Sequence, residues 1–280
     1  MVEKPSTAAG YRRGDVARVR ATCLYVATKL GDLMDLLVVA GGLVPSLLID
    51  QEALAEGTDV HVGTMDLDVG LAVALLDQGR YRALTDRLRH AGFSQDVNEE
   101  GNATRQRWKI ERAEKVTIDF LIPPTLPGDT GGELRDIESD FAAIIAPGLH
   151  LAFRDRRRVT LSGRTIMGED ATRDVWVCGP GAYVVLKALA FDLRGENKDA
   201  YDLFYVVRNY GSGAEDVAAC LRPLLSDGAA SRAIAVLRRD FLDHNGLGPR
   251  RVAEFLTLGP DDATQADVVG FLRQLLELCG

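Results

Sequence analysis

The chain has 280 residues, 46% of them hydrophobic and 26% charged, with a formal net charge of -8. This is ordinary globular composition and enough length for one large domain or two modest ones, and the acidity excludes a generally basic protein that coats nucleic acid, though not a local basic groove. No apolar run approaches the roughly 20 residues of a membrane-crossing helix, so no membrane partner is expected.

In chain order, residues up to about 14 are polar and read as loose, and the start M-V-E-K-P-S-T carries no secretory leader pattern. From Asp15 to Leu37, apolar residues Val16, Val19, Cys23, Val26, Ala27, Leu30 and Leu33 recur at spacings of three and four, which predicts a helix. A short strand, Val38–Ala40, runs into the paired Gly41 and Gly42. Val44 to Ile49 opens a brief helix, Gln51 to His61 is a polar loop, and Thr64 to Ala74 reads as a strand. Arg80 to Ala91 is predicted as an amphipathic helix closed by Gly92. Arg105 to Ile110 and Lys115 to Ile122 form a strand pair across a charged turn. Pro123, Pro124 and Pro127, with glycines up to Gly132, mark a long loop, and short strands or irregular segments continue to about Val177. Helices dominate from Pro180, with breaks near Gly195, Gly211–Gly213, Gly228, Gly246–Pro249 and Gly259–Pro260. The composition shifts near residue 178, dividing an α/β half (15–177) from a helical half (178–280). Cys23, Cys178, Cys220 and Cys279 lack C-x-x-C spacing, and the four histidines form no ligand pair at helical spacing. Neither a zinc site nor a disulfide framework is expected, and the pattern suits a reduced, cytoplasmic setting.

The chemistry concentrates between Val38 and Leu71. On a strand, Asp66 and Asp68 point to the same face, and adjacent carboxylates repel unless something positive lies between them. A divalent cation is the usual answer. Gly41 and Gly42 let the backbone approach a ligand and offer N–H groups to phosphate. Thr64 shares the aspartates' face if the strand extends that far. In K-V-T-I-D-F-L-I, Val116, Ile118 and Phe120 share one face and Thr117, Asp119 and Leu121 the other. Asp119 thus lies mid-strand among apolar neighbours, a costly place for an unpaired carboxylate. It is expected to be the third ligand of a centre holding two Mg²⁺ ions, the alternative being an ion pair with Arg107.

Lys187 lies on an otherwise apolar helix and must either snorkel outward or meet an anion. Arg194, Lys198, Asp199 and Asp202 follow. An unbroken helix would gather Lys187, Arg194, Lys198 and Asp202 within a sector of about 80°. Gly195 and Asn197 favour two helices meeting at a loop instead. Either geometry could bring cations over a triphosphate; the bland alternative is a solvated loop with i,i+4 pairs.

The motifs G-G-x-x-P-S-L-L, T-M-D-L-D-V, T-I-D-F and L-K-A-L-A-F-D-L-R-G-E-N-K-D-A-Y-D-L, spread over residues 35 to 210, resemble the AbiEii/AbiGii family of nucleotidyltransferase toxins. The resemblance implies an α+β fold, with a polymerase-beta-like nucleotidyltransferase lobe on a mixed sheet followed by a helical C-terminal lobe. It also implies Mg²⁺-dependent use of a nucleoside triphosphate and an RNA acceptor such as the 3′ end of tRNA. The biological setting it implies is a bacterial toxin–antitoxin or abortive-infection pair, with a cognate antitoxin as partner. By position, Gly42 stands at the family's glycine turn, Asp66 and Asp68 match the metal pair, and Lys187 matches the lysine on the nucleotide phosphates. Asp202 or Asp199 matches the final motif aspartate. The chain departs from the family at Pro45-Ser46 and in the long loop from Ile49 to His61. Basic patches for RNA are expected among Arg154, Arg156, Arg157 and Arg158, then Arg238 and Arg239, and Arg250 and Arg251, with a solvated face as the alternative. Competing readings are an antibiotic-modifying nucleotidyltransferase and a non-catalytic nucleotide-binding or interaction module.

Overall fold

The structure, a computed structural model, describes residues 5–54, 59–72, 78–98, 100–111 and 115–280. Parts of the predicted polar loop, the end of the predicted aspartate strand and most of the charged turn after Glu111 lie outside the described residues. Two compact units are present. One comprises Arg13–Val44 and Gly63–Cys178; the other comprises Pro45–Val62 and Gly179–Gly280, together with residues 5–12.

The first unit opens with α1 (Arg13–Leu30), which buries Val19, Cys23, Leu24, Val26, Ala27 and Leu30. The helix expected to reach Leu37 stops earlier. Gly31 takes φ +56°, and Gly31–Leu36 tightens into 3-10 geometry before β1 (Leu37–Ala40). A 3-10 turn, Gly41–Leu43, then leads into α2 (Val44–Leu48). Next come β2 (Asp66–Leu71) and α3 (Gln78–His90), with Gly92 at φ +87° just past the helix. The remaining elements of this unit are β3 (Ser94–Val97), β4 (Ala103–Glu111), β5 (Lys115–Ile122), β6 (Leu134–Glu138), β7 (Phe141–Ile145), α4 (Leu151–Arg154), β8 (Arg156–Arg164) and β9 (Asp170–Cys178).

These strands form one mixed sheet in the order β3-β4-β5-β2-β1-β9-β8, with β7 pairing β5 and β6. β2 runs parallel to β5, β1 to β9 and β5 to β7, while the remaining pairs are antiparallel. The two-residue alternation on β2 sends Leu67, Val69 and Leu71 into the core, each at most 2% exposed, and places Asp66, Asp68 and Gly70 on the opposite face. An aromatic cluster fills the core beyond β5, with the Phe141 ring 5.1 Å from Phe120, 5.8 Å from Tyr81 and 6.2 Å from Trp108. Such contacts add to the burial of large apolar area.

The second unit is helical: α5 (Pro180–Arg194), α6 (Asn197–Asn209), α7 (Ala214–Leu221), α8 (Gly228–Asp240), α9 (Leu247–Thr257) and α10 (Asp262–Cys279). Pro180 sits in the first turn of α5, and Gly195 ends the helix at φ +65°, so α5 and α6 are separate helices as Gly195 and Asn197 suggested. Asp227 and Asp261 cap α8 and α10, accepting from Ala229 N at 2.9 Å and Thr264 N at 2.7 Å.

The segment between β1 and β2 belongs with these helices and not with the sheet. Val62 N donates to Tyr201 Oη at 3.2 Å, and Tyr205 Oη lies 2.9 Å from Gln51 Oε1 and 3.2 Å from the Asp59 carbonyl. His61 N also donates to Gln51 Oε1, at 2.8 Å. The protein is therefore α+β, with a mixed sheet and a helical C-terminal part. No helix among the described residues is long and apolar enough to cross a membrane.

Candidate active site

In the sheet unit, parallel pairing of β2 and β5 sets Asp68 directly beside Asp119, and Asp66 beside Thr117. Ligand oxygens of Asp66, Asp68 and Asp119 all lie within 4.8 Å of one another. Asp66 is 5% exposed and Asp119 3%, while Asp68 is half-buried. Carboxylates this close repel strongly wherever the surroundings are less polarisable than water.

Three neighbours hold the cluster in place. On β4, Arg107 pairs with Asp119 in antiparallel register, and its Nε donates to Oδ1 at 2.6 Å while Nη2 donates to Oδ2 at 2.5 Å. The hydrogen bond to Asp119 raises the guanidinium's pKa against the opposing effect of burial, and the charges of Asp119, Asp66 and Asp68 add to the rise. Asp119 thus occupies both places that its sequence context allowed, beside the aspartate pair and on Arg107. Thr64 lies just before β2 and not within it; its hydroxyl donates to Asp66 Oδ1 at 2.9 Å and approaches the Asp66 carbonyl at 3.3 Å. Gly41 takes φ +66°, and a Cβ built there would fall 1.8 Å from Asp68 Oδ2. A glycine is required twice over, for backbone conformation and for room. Gly42 follows, buried in the same turn.

An all-oxygen donor set suits hard divalent cations such as Mg²⁺. With Mg–O bonds of about 2.1 Å, octahedral ligands stand about 3 to 4 Å apart, close to the spread of up to 4.8 Å among these oxygens. The residues present fit the group that the aspartate pattern implied.

The helical unit carries a second charged cluster. Lys187 Nζ lies 2.9 Å from Asp199 Oδ1 and 2.7 Å from Asp202 Oδ2, and Lys198 Nζ lies 2.5 Å from Asp202 Oδ1. Arg194 donates to both Asp199 oxygens, at 2.6 and 2.9 Å. Lys187 therefore meets carboxylates and does not snorkel, being only 7% exposed. His61, which sequence reasoning passed over as part of a loop, completes the group: its Nε2 is 2.9 Å from Asp202 Oδ1, and its ring stacks on Tyr201 at 5.3 Å. No local pattern announces it, because His61 and Asp202 are 141 residues apart.

Burial works against charge on Asp202 and Asp199. Lys187 and Lys198, helped by His61, nonetheless hold Asp202 well below the usual carboxylate range, and Lys187 with Arg194 lowers Asp199. Burial also opposes charge on Lys187, but Asp199 and Asp202 raise it overall; for Lys198 burial prevails and its pKa falls. Burial pushes His61 down to about 4; the Asp202 hydrogen bond and charge act against this fall, and the charges of Lys198 and Lys187 add to it. The imidazole is neutral at pH 7.

Five of the eight arginines considered for RNA have local partners. Arg156 stacks on Trp176 at 4.0 Å, Arg157 meets Asp155 at 2.9 Å and Arg158 meets Asp174 at 2.7 Å. Arg239 pairs with Asp192 and Asp240, and Arg251 with Glu254.

No protein-family model matches the chain, and no curated protein matches it. Among solved structures it is similar to an antigenic nucleotidyltransferase-like protein from Paracoccidioides brasiliensis, at 15% identity and a TM-score of 0.38, over 79% of this chain and 92% of that one.

Proposed function

We propose that the chain is a divalent-metal-dependent nucleotidyltransferase. The observation that carries this reading is the convergence of Asp66, Asp68 and Asp119 from two adjacent parallel strands to within 4.8 Å, beside the Gly41 turn. Divalent ions at these carboxylates would neutralise a triphosphate and align the attacking and leaving oxygens of an in-line displacement. The chain's own contribution is orientation: Thr64 holds Asp66, Arg107 holds Asp119, and Gly41 leaves space for Asp68. That division of labour matches the way outer-shell groups fix metal-ligating carboxylates.

The finer form of the proposal rests on the motif resemblance. In it Mg²⁺ is the ion, Gly41 and Gly42 meet the phosphates of the nucleoside triphosphate, and the acceptor is the 3′ end of tRNA or another RNA. The chain is then the toxin of a toxin–antitoxin pair, held in check by a cognate antitoxin.

Incubation with total tRNA, Mg²⁺ and each labelled nucleoside triphosphate tests this, beside Asp66→Ala. Label on tRNA that disappears in the variant is the expected result, with a loss of about 100-fold or more, since the metal's contribution to the transition state goes with its ligand. Label on protein alone would replace the acceptor and keep the reaction. Equal labelling by wild type and variant would overturn the assignment of the metal site.

A further inference from the structure

The Arg107–Asp119 pair has features that go beyond orienting one ligand. The guanidinium fork occupies both Asp119 oxygens, and the two side chains are only 19% and 4% exposed. A two-point charged contact of this kind is stronger than a single hydrogen bond, and it places a permanent positive charge that no accessible pH removes. The carboxylate so held belongs to the cluster in which ligand oxygens of Asp66, Asp68 and Asp119 all lie within 4.8 Å of one another. Arg107 feels all three, since each of their charges favours its protonated form. Each carboxylate oxygen offers more than one acceptor position, so the fork leaves Asp119 able to take a cation on its other side.

We propose that Arg107 is the built-in counter-cation of the triad: it offsets the carboxylates' mutual repulsion before a metal arrives, lets the sheet unit fold without metal, and in return weakens the metal's binding. This rests on the reading of Asp66, Asp68 and Asp119 as a metal site. Arg107 and a divalent ion are then partly redundant sources of positive charge in one small volume, so removing the first strengthens the second. A guanidinium that merely oriented Asp119 would do the opposite, because its loss would leave a ligand wandering.

The test compares full-length wild type, Arg107→Gln and Arg107→Lys. Mn²⁺ binding is measured by calorimetry, and thermal unfolding is followed in chelator and in excess Mn²⁺. In the Gln variant without metal, Tm is expected to fall by about 6 °C or more, as for a broken buried ion pair in a protein of this size. Mn²⁺ then binds this variant about tenfold or more tighter than wild type, as expected when a like charge is removed from within several ångströms of a divalent ion. Its Tm rise on adding Mn²⁺ is correspondingly larger. The Lys variant, which keeps the charge and loses the fork, stays close to wild type in Mn²⁺ affinity. A Gln variant that folds only with Mn²⁺ also supports the proposal.

Mn²⁺ affinity that is unchanged or weaker in the Gln variant overturns it, as does a Lys variant that behaves like Gln, or a Gln variant unfolded in both conditions. Failure of the underlying metal reading looks different. Wild type then binds no Mn²⁺ at all, or binds it unaltered by Asp66→Asn.

Discussion

At Gly41 a single methyl group is enough to disturb the candidate metal cluster. Alanine there must adopt a left-handed conformation, which costs about 1–2 kcal/mol, and its Cβ must displace the Asp68 carboxylate. Gly41→Ala is expected to lose Mn²⁺ binding and about 2 kcal/mol of stability, read by metal titration and by urea unfolding. His61 makes a second residue-scale prediction. Its folded pKa of about 4 lies below the unfolded value of about 6.5, so between these pH values the unfolded chain binds the extra proton. Stability is therefore complete above about pH 6.5 and falls as the pH drops toward about 4. From about pH 7.5 to about pH 5 the contribution lost is about 2 kcal/mol, and His61→Gln should flatten that slope in urea melts taken across the same range. Asp202 acts in the same direction at lower pH. Its depressed carboxyl stabilises the fold above the ordinary aspartate range, and that stabilisation is lost progressively as the pH falls from that range through the folded value. Asp202→Ala leaves Lys187 and Lys198 buried beside a missing partner and should cost about 3–5 kcal/mol at neutral pH, measured by the same unfolding assay.

Among the elements, β2 and β5 matter through their register, because pairing Asp68 with Asp119 is what joins two separate motifs into one cluster. A slip of one residue on β5 would turn Asp119 to the opposite face and put Ile118 or Phe120 in its place. The Arg107 pairing on β4 and the aromatic packing of Phe120 against Phe141 both act against such a slip. In the helical unit, α5 approaches α7 so closely that a Cβ at Gly181 would lie 2.6 Å from the backbone carbonyl of Cys220. Backbone cannot swing aside as a side chain can. Gly181→Ala is accordingly expected to force the helices apart and cost about 1–3 kcal/mol, visible as a lowered Tm.

At the scale of the whole molecule, the chain does not lay down one unit and then the other. It leaves the sheet unit after Val44, supplies Pro45–Val62 to the helical unit, and returns at Gly63. Gly63 sits at φ +87° where the return occurs. The helical unit thus draws on this earlier segment as well as on Gly179–Gly280. A fragment spanning 179–280 therefore lacks His61 for Asp202, Gln51 and Asp59 for Tyr205, and Val62 for Tyr201. Such a fragment should unfold with poor cooperativity, and addition of a peptide spanning 45–62 should raise its helicity by circular dichroism. A fragment already as cooperative as the full chain would show that the segment contributes little.

What the sequence determined by itself is local. Apolar spacing of three and four marked α1, and Gly195 marked the break before α6, because helical period and left-handed glycine are written within a few residues. Two-residue alternation placed Asp66 and Asp68 on one face and Asp119 among apolar neighbours for the same reason. The apolar spacing of residues 31–36 is nearly helical, but Gly31 at φ +56° stops α1 before them. Only the tertiary structure decided that Asp119 stands beside Asp68 with Arg107 across from it, and that His61 reaches Asp202 from 141 residues away. Strand register and the pairing of buried charges minimise the free energy of the whole fold. They depend on which distant segments shed water together, and no short window of sequence carries that information.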